Sequence, residues 1–287
     1  MSSIFMRFPN GKPRALTLSY DDGVEQDIRL ISVLQQYGIN RTFNLNSRLY
    51  APEGHAYLAQ EIHRRMTKQR ATALYTQTQM EVAVHGLTHP FLEQLPLALA
   101  VREVLLDRQN LEQQFSTIVR GMAYPFGTYS DALVQALKSC GIAYARTVES
   151  SHSFQLPQDW LRLKPTCHHD DPALMELLDA FLSARIDRAP HMFYLWGHSY
   201  EFEANDNWHV IENFSKKAGG HDDVWYATNI ELAQYVAAYN SLQFSADGDR
   251  VFNPSATCIW FLMHDTLVSI PAGESRLLVG MGASAEG

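Results

Sequence analysis

Ala15-Leu16-Thr17-Leu18-Ser19-Tyr20 runs directly into Asp21-Asp22-Gly23. The first six residues read as a buried strand, and the next three place two carboxylates at its carboxyl end. Two more strand-like runs end in imidazoles. Val82-Ala83-Val84 leads into His85-Gly86-Leu87-Thr88-His89, and Met192-Phe193-Tyr194-Leu195-Trp196 leads into Gly197-His198. An Asp-Asp-Gly alone marks a turn, and a lone His-x-x-x-His is commonly incidental. Three such stretches at strand carboxyl ends carry more weight, because α/β folds build their sites on that edge. One carboxylate with two histidines is a ligand set suited to zinc or a similar divalent ion with positions open to water. The other carboxylate and the third histidine are then free to act as base and acid, which completes the parts of a metal-assisted hydrolase.

Outward from these stretches, strand-like and helix-like segments alternate, as a β/α topology requires. Residues 27–37 carry Ile28, Ile31, Leu34 and Tyr37 at helical spacing, with Gly38 as the stop. Residues 42–45 read as the second strand. Residues 97–115 read as a long helix with Val101, Val104, Leu105, Leu111 and Phe115 on its apolar side. Residues 118–124, 142–148 and 223–227 supply further strands, with helices near 130–139 and 173–184. A last helix covers 229–239, with Asn229 as its cap. Residues 51–80 form an insertion carrying Arg64, Arg65, Lys68 and Arg70, either a solvated helix face or a rim that favours an acidic substrate.

The tail changes character after Ser241. Residues 250–252, 257–263, 267–270 and 276–279 are short apolar runs, divided by turn signals at Asp247-Gly248, Asn253-Pro254 and Pro271 to Glu274. They predict a small antiparallel β-unit, too small to be stable alone. A structural cap is the favoured reading over a carbohydrate-binding module.

At 287 residues with 46% hydrophobic content, the chain has material for one large domain and an appendage. Its net charge of −8 argues against a nucleic-acid surface or a polybasic membrane patch. No apolar run approaches the roughly 20 residues of a membrane-spanning helix, and the first residues lack a signal-peptide pattern, so a cytoplasmic location is expected. Cys140, Cys167 and Cys258 are odd in number and widely spaced, which implies no disulfide framework. Oligomeric state is left open by the sequence.

The three stretches, in this order, resemble the motifs of the polysaccharide deacetylase family with its NodB-homology domain, over roughly residues 14–240. The resemblance implies an α/β fold, a distorted (β/α) barrel of that type, occupying residues 1–240, with 241–287 as a small β-rich C-terminal extension. It carries the catalytic base onto Asp21, the metal ligands onto Asp22, His85 and His89, and the general acid onto His198. It also implies a divalent metal, Zn2+ first, with Co2+, Ni2+ or Mn2+ as alternatives. The implied reaction removes N-acetyl or O-acetyl groups from a sugar or oligosaccharide. A related amidase acting on a small linear or cyclic amide is the nearest alternative, and a catalytically dead carbohydrate-binding protein a distant one.

Two departures from the family pattern stand out. The third motif usually reads Arg-Pro-Pro-Tyr-Gly, its arginine steadying the base, whereas this chain has Ala123-Tyr124-Pro125-Phe126-Gly127. Arg146, in the next strand-like run, is the expected substitute if alternation points it toward the barrel mouth. Tyr124 and Phe126 are expected to line the substrate and oxyanion position, the N–H of Phe126 in particular. The fourth motif, which supplies an Asp to orient the acid, is matched only by Asp159-Trp160, with His168 in Cys167-His168-His169-Asp170-Asp171 as a competitor. Around His198, Trp196 and Tyr200 are expected in the pocket, and Glu201, Glu203 and Asn207 offer polar groups for sugar hydroxyls. Most of the nearby aromatics are expected in the core.

Overall fold

The computed structural model describes residues 4–76 and 80–278. Residues 77–79 of the expected insertion, Val279 of the last apolar run, and both ends of the expected domain bounds lie outside the described residues. In chain order the strands are β1 (Ile4–Arg7), β2 (Arg14–Asp21), β3 (Arg41–Leu45), β4 (Met80–Val84), β5 (Gly121–Ala123), β6 (Tyr144–Arg146), β7 (Cys167–His168), β8 (His191–Gly197), β9 (Val224–Tyr226), β10 (Gln243–Phe244), β11 (Arg250–Phe252), β12 (Ile259–Met263), β13 (Thr266–Ile270) and β14 (Ser275–Leu277). The α-helices are α1 (Asp27–Gln36), α2 (Lys68–Tyr75), α3 (Leu97–Phe115), α4 (Asp131–Ser139), α5 (Leu174–Ser183), α6 (Ser199–Ala204), α7 (His209–Ala218) and α8 (Asn229–Asn240).

Eight parallel strands form one curled half-barrel in the order β6-β5-β4-β3-β2-β8-β7, with β9 also against β2. β2 is its spine, and all eight of its residues are buried, as expected of a strand covered on both faces. β8 runs along one side from Arg14↔His191 to Tyr20↔Gly197. The other side is shared: β9 takes Arg14 to Leu16, and β3 takes Ser19 to Asp21. An extended segment leaves β6 bonded at Leu163 and becomes β7 against β8, which brings the two ends of the sheet together. Leu16, Leu18, Phe43, Val84, Met122 and Phe193 lie in one continuous buried core under the helices.

Several strands are shorter than the apolar runs that announce them. Ile118 is exposed and β5 begins only at Gly121. No side chain fits there, since a Cβ on Gly121 would fall 2.3 Å from the Tyr144 hydroxyl and 2.5 Å from a Glu81 oxygen. On α3 the buried stripe is Ala100, Val104, Asp107 and Leu111, while Leu105, expected inside, is exposed, as is Ile28 on α1. The cap of α8 is Thr228 rather than Asn229: Thr228 and Glu231 form a reciprocal capping box. Asn229 is instead drawn inward, accepting from Thr17 Oγ1 and donating to the Tyr194 hydroxyl.

The tail forms two three-stranded antiparallel sheets, β1-β12-β13 and β10-β11-β14. The N-terminal strand β1 therefore belongs to the same sheet as two tail strands, and Tyr235 ties this unit to α8 by donating to Arg7 O at 2.7 Å and accepting from Trp260 N at 3.0 Å. All three cysteines are free thiols. Among the described residues, no helix is long and apolar enough to cross a membrane.

Candidate active site

The carboxyl ends of β2, β3, β4, β6 and β8 bring one cluster of polar side chains together. Asp21, the last residue of β2, is buried; its Oδ1 accepts from Asn44 Nδ2 at 2.7 Å, and its Oδ2 accepts from Arg146 Nη2. The Nε2 atoms of His85 and His198 lie 3.7 and 3.8 Å from that same Oδ2. Burial alone would raise the pKa of Asp21, but Arg146, then His85 and His198, outweigh it and hold the carboxyl below its usual range.

Asp22 turns out of the strand with φ 82°, a left-handed conformation that Asp tolerates better than most residues. Its N–H still bonds Asn44 O at 3.0 Å, so the turn swings only the carboxylate. Burial of that carboxylate is outweighed by His63 Nε2 at 3.0 Å and Arg65 Nη2 at 2.8 Å, and Asp22 stays ionised far into acid.

His85 follows β4 directly. Its Nδ1 donates to Ala123 O at 2.9 Å, so its Nε2 presents a bare lone pair, the orientation in which a carbonyl behind a histidine prepares it as a ligand. His89, with φ 56°, brings its own Nε2 to 3.1 Å from that atom. Burial and then the neighbouring His85 push His89 down to about 4, so it is neutral at physiological pH. Two ligand nitrogens on a tetrahedral ion with bonds of ~2.0–2.1 Å stand about 3.3 Å apart. The observed spacing fits, and the ligand atoms of Asp22, His85 and His89 all lie within 4.8 Å of one another. Asp107 on α3 fastens this edge by accepting from Ser47 N at 2.7 Å and His85 N at 3.1 Å.

His198 leaves β8 and caps α6. Its Nδ1 lies 3.2 Å from Glu201 Oε1, and its backbone N–H bonds Glu201 Oε2 at 3.2 Å. Burial would lower the pKa of His198, yet Glu201 and the charge of Asp21 prevail and raise it. Glu201 also faces His168 Nε2 and His169 Nε2, each at 3.2 Å, so one carboxylate serves three imidazoles. Asp27 secures α6 from below, taking hydrogen bonds from Ser199, Tyr75 and Val24 N.

The remaining candidates fall in different places. Arg146 is fully buried, with Trp196 packed 4.2 Å over its guanidinium. Trp196 thus supports Arg146 and is itself buried, where a pocket-lining role was expected. Tyr124 is likewise not at the cleft surface, because its hydroxyl points into the core and bonds Leu161 O at 2.8 Å. Phe126, φ 58°, is exposed beside His89 and stacks on Phe91 at 3.8 Å. Tyr200 packs edge-on against His63 and lies 5.3 Å from the His198 ring. Asp159 does not reach His198, since it caps Leu161 N at 2.9 Å and pairs with Arg162. His168 is linked to His198 through Glu201, with the two rings 6.4 Å apart. Of the basic run, Arg64 pairs with Glu25 and Glu203 and Arg70 with Glu25, while Arg65 pairs with Asp22 at the site itself. Glu203 is spent in the same way, while Asn207 Nδ2 reaches Asp170 at 3.5 Å.

Four groups at the site escaped the sequence reading in these roles: Asn44, His63, Asp107 and Glu201. Glu201 had a signal, since it stands three residues beyond a helix cap, where a Glu reaches back to the cap N–H.

A family model described as polysaccharide deacetylase matches residues 9–145. No protein of curated function matches the chain. Among solved structures, a polysaccharide-deacetylase-type protein of Mycobacterium smegmatis aligns at 18% identity with a TM-score of 0.56, covering 84% of this chain and 96% of that one, and it shares the fold. A family 4 carbohydrate esterase of Streptomyces lividans, in complex with acetate, aligns at 15% identity and a TM-score of 0.48 over 74% of this chain and 90% of that one. A Streptococcus pyogenes deacetylase in complex with acetate shows 22% identity and a TM-score of 0.39 over 46% of this chain; the match spans 55% of that protein's length.

Proposed function

Residues 9–145 belong to the polysaccharide deacetylase family, hydrolases of acetyl amide or ester bonds in carbohydrates, and on that premise we propose that the protein removes acetyl groups, N-acetyl before O-acetyl, from a sugar or oligosaccharide. The observation that carries this reading is one juxtaposition: a carboxylate with a depressed pKa and an imidazole with a raised one lie 3.8 Å apart beside a three-ligand cluster. Environments that push two titratable groups apart in this way mark a base and an acid.

Asp22, His85 and His89 would hold a divalent ion, Zn2+ first and Co2+, Ni2+ or Mn2+ as alternatives. Such an ion supplies Lewis acidity and lowers the pKa of a water. Asp21 accepts the proton of the attacking water, with its two oxygens fixed by Asn44 and Arg146. The backbone N–H of Phe126 stabilises the oxyanion as the carbonyl becomes tetrahedral. His198, held by Glu201 in place of the expected Asp159, gives its Nε2 proton to the departing amine. The carbon–nitrogen bond breaks, and acetate and a free amino sugar leave.

Acetate release from N-acetyl-chitooligosaccharides, measured with and without chelator, tests this function. Chelator-sensitive release is expected. Turnover of small amides in its place would support an amidase, and sugar binding with no turnover would support a binding protein.

A further inference from the structure

Around Glu201 gathers a second group of metal-ligating side chains. The His169 side chain is 0% exposed and is stacked between Phe202, at 4.1 Å, and Tyr20, at 5.8 Å. Neither of its ring nitrogens has a hydrogen-bond partner. Nδ1 is pressed against Gly197, where a Cβ would fall 2.0 Å away. Nε2 faces two carboxylates, Glu201 Oε2 at 3.2 Å and Asp170 Oδ1 at 3.4 Å, with neither in line for a hydrogen bond.

We propose that His169 Nε2, Asp170 and Glu201 form a second divalent-cation site. Distances of 3.2 and 3.4 Å suit ligand atoms sharing one ion with bonds of ~2.0–2.2 Å. One imidazole with two carboxylates suits Zn2+ or Mn2+. His168 stands outside the ligand set: its Nδ1 accepts from Asp170 N at 3.2 Å, so its Nε2 carries the hydrogen and faces Glu201 Oε2 at 3.2 Å. An N–H facing a ligating carboxylate in this way orients it. The site is coupled to His198, because Glu201 Oε1 faces His198 Nδ1 while Oε2 faces the proposed ion. An ion there competes with His198 for the Glu201 carboxylate and loosens the hold on its imidazole, and excess metal then slows amide hydrolysis; this consequence alone rests on the deacetylase reading.

The test is a titration of the metal-free full chain with Zn2+, and separately with Mn2+, counting bound ions in wild type, Asp170→Asn, His169→Gln and His89→Ala. Two ions are expected in wild type. The partly exposed Asp170→Asn should weaken the second site by about tenfold or more and relieve inhibition by excess Zn2+. His169→Gln should lose the second ion, and His89→Ala should keep only that one. A single ion in wild type, lost in His89→Ala and unaffected by Asp170→Asn, overturns the proposal and spares the first site. A single ion kept in His89→Ala but weakened by Asp170→Asn upholds the proposal and overturns the first site. Two full-affinity ions in both Asp170→Asn and His169→Gln overturn the proposed location.

Discussion

Arg146 and Asp21 form a buried ion pair at the mouth of the half-barrel, their side chains 1% and 2% exposed. Arg146 is the register neighbour of Ala123 on the adjacent strand. The guanidinium therefore reaches Asp21 from one strand beyond the position where the family's third motif places its arginine.

Removing that arginine should act on the base and not on the metal ligands. Breaking a buried pair by deleting one partner costs ~3–5 kcal/mol, so Arg146→Met should be less stable yet retain its metal. Losing the neighbouring positive charge raises the pKa of Asp21, and the acidic limb of the pH–rate profile should move to higher pH. Turnover should fall by ~10²-fold as the base loses its fixed position. An unchanged profile would show that Asp21 is steadied without Arg146.

On the proposed mechanism the alkaline limb is set by His198. Its pKa is raised, so activity should be lost as pH rises through that value. Glu201→Gln removes the facing charge, so the limb should move to lower pH on amide substrates. His198→Ala should slow N-acetyl substrates by ~10²–10⁴-fold while sparing activated acetyl esters, whose leaving group departs without a proton. Equal loss on both substrate types would assign His198 a structural role.

These relationships were not equally visible in the sequence. The strand ends carrying Asp21, His85 and His198 were legible because each closes an apolar run, and burial imposes such runs on central parallel strands. Arg146 was legible only through alternation. Tyr124 and Trp196 were misplaced because proximity to a motif does not tell which face a side chain takes. Glu201 was assigned to sugar hydroxyls and not to His198, because a helical turn, which no strand-based reading follows, returns it to that histidine. The pairing of β1 with β12 spans almost the whole chain and leaves no local trace.

Asp107 should prove to be a fastening for the ligand edge. Asp107→Ala leaves the Ser47 N–H without its acceptor and weakens that of His85, so a loss of about 2 kcal/mol is expected in denaturant unfolding. Metal affinity should drop about tenfold as His85 loosens. Wild-type stability and affinity would remove Asp107 from this role.

Asp27 makes the pH dependence of stability itself a test. Burial, opposed by bonds from Ser199, Tyr75 and Val24, raises it to about 7, against about 4 in the unfolded chain. The folded chain thus keeps a proton that the unfolded chain has released, and this contribution is complete below about pH 4 and lost as pH rises through about 7. Asp27→Asn mimics the protonated side chain without the titration: its oxygen still accepts from Tyr75 and Val24 N, and the Ser199 hydroxyl turns to accept from its amide. Its unfolding midpoint should fall less than that of wild type between pH 5 and pH 8, and an identical slope would contradict the assignment.

Metal content and acetate release, measured together on the same preparations of Asp21→Asn and His85→Ala, test the central claim most directly. The Asn side chain still offers Arg146 an oxygen but accepts no proton from water. Asp21→Asn should therefore retain metal and lose nearly all acetate release, whereas His85→Ala should lose both while remaining folded. Full acetate release by Asp21→Asn, or full metal occupancy in His85→Ala, would contradict the division of labour between a base on Asp21 and a metal held by Asp22, His85 and His89.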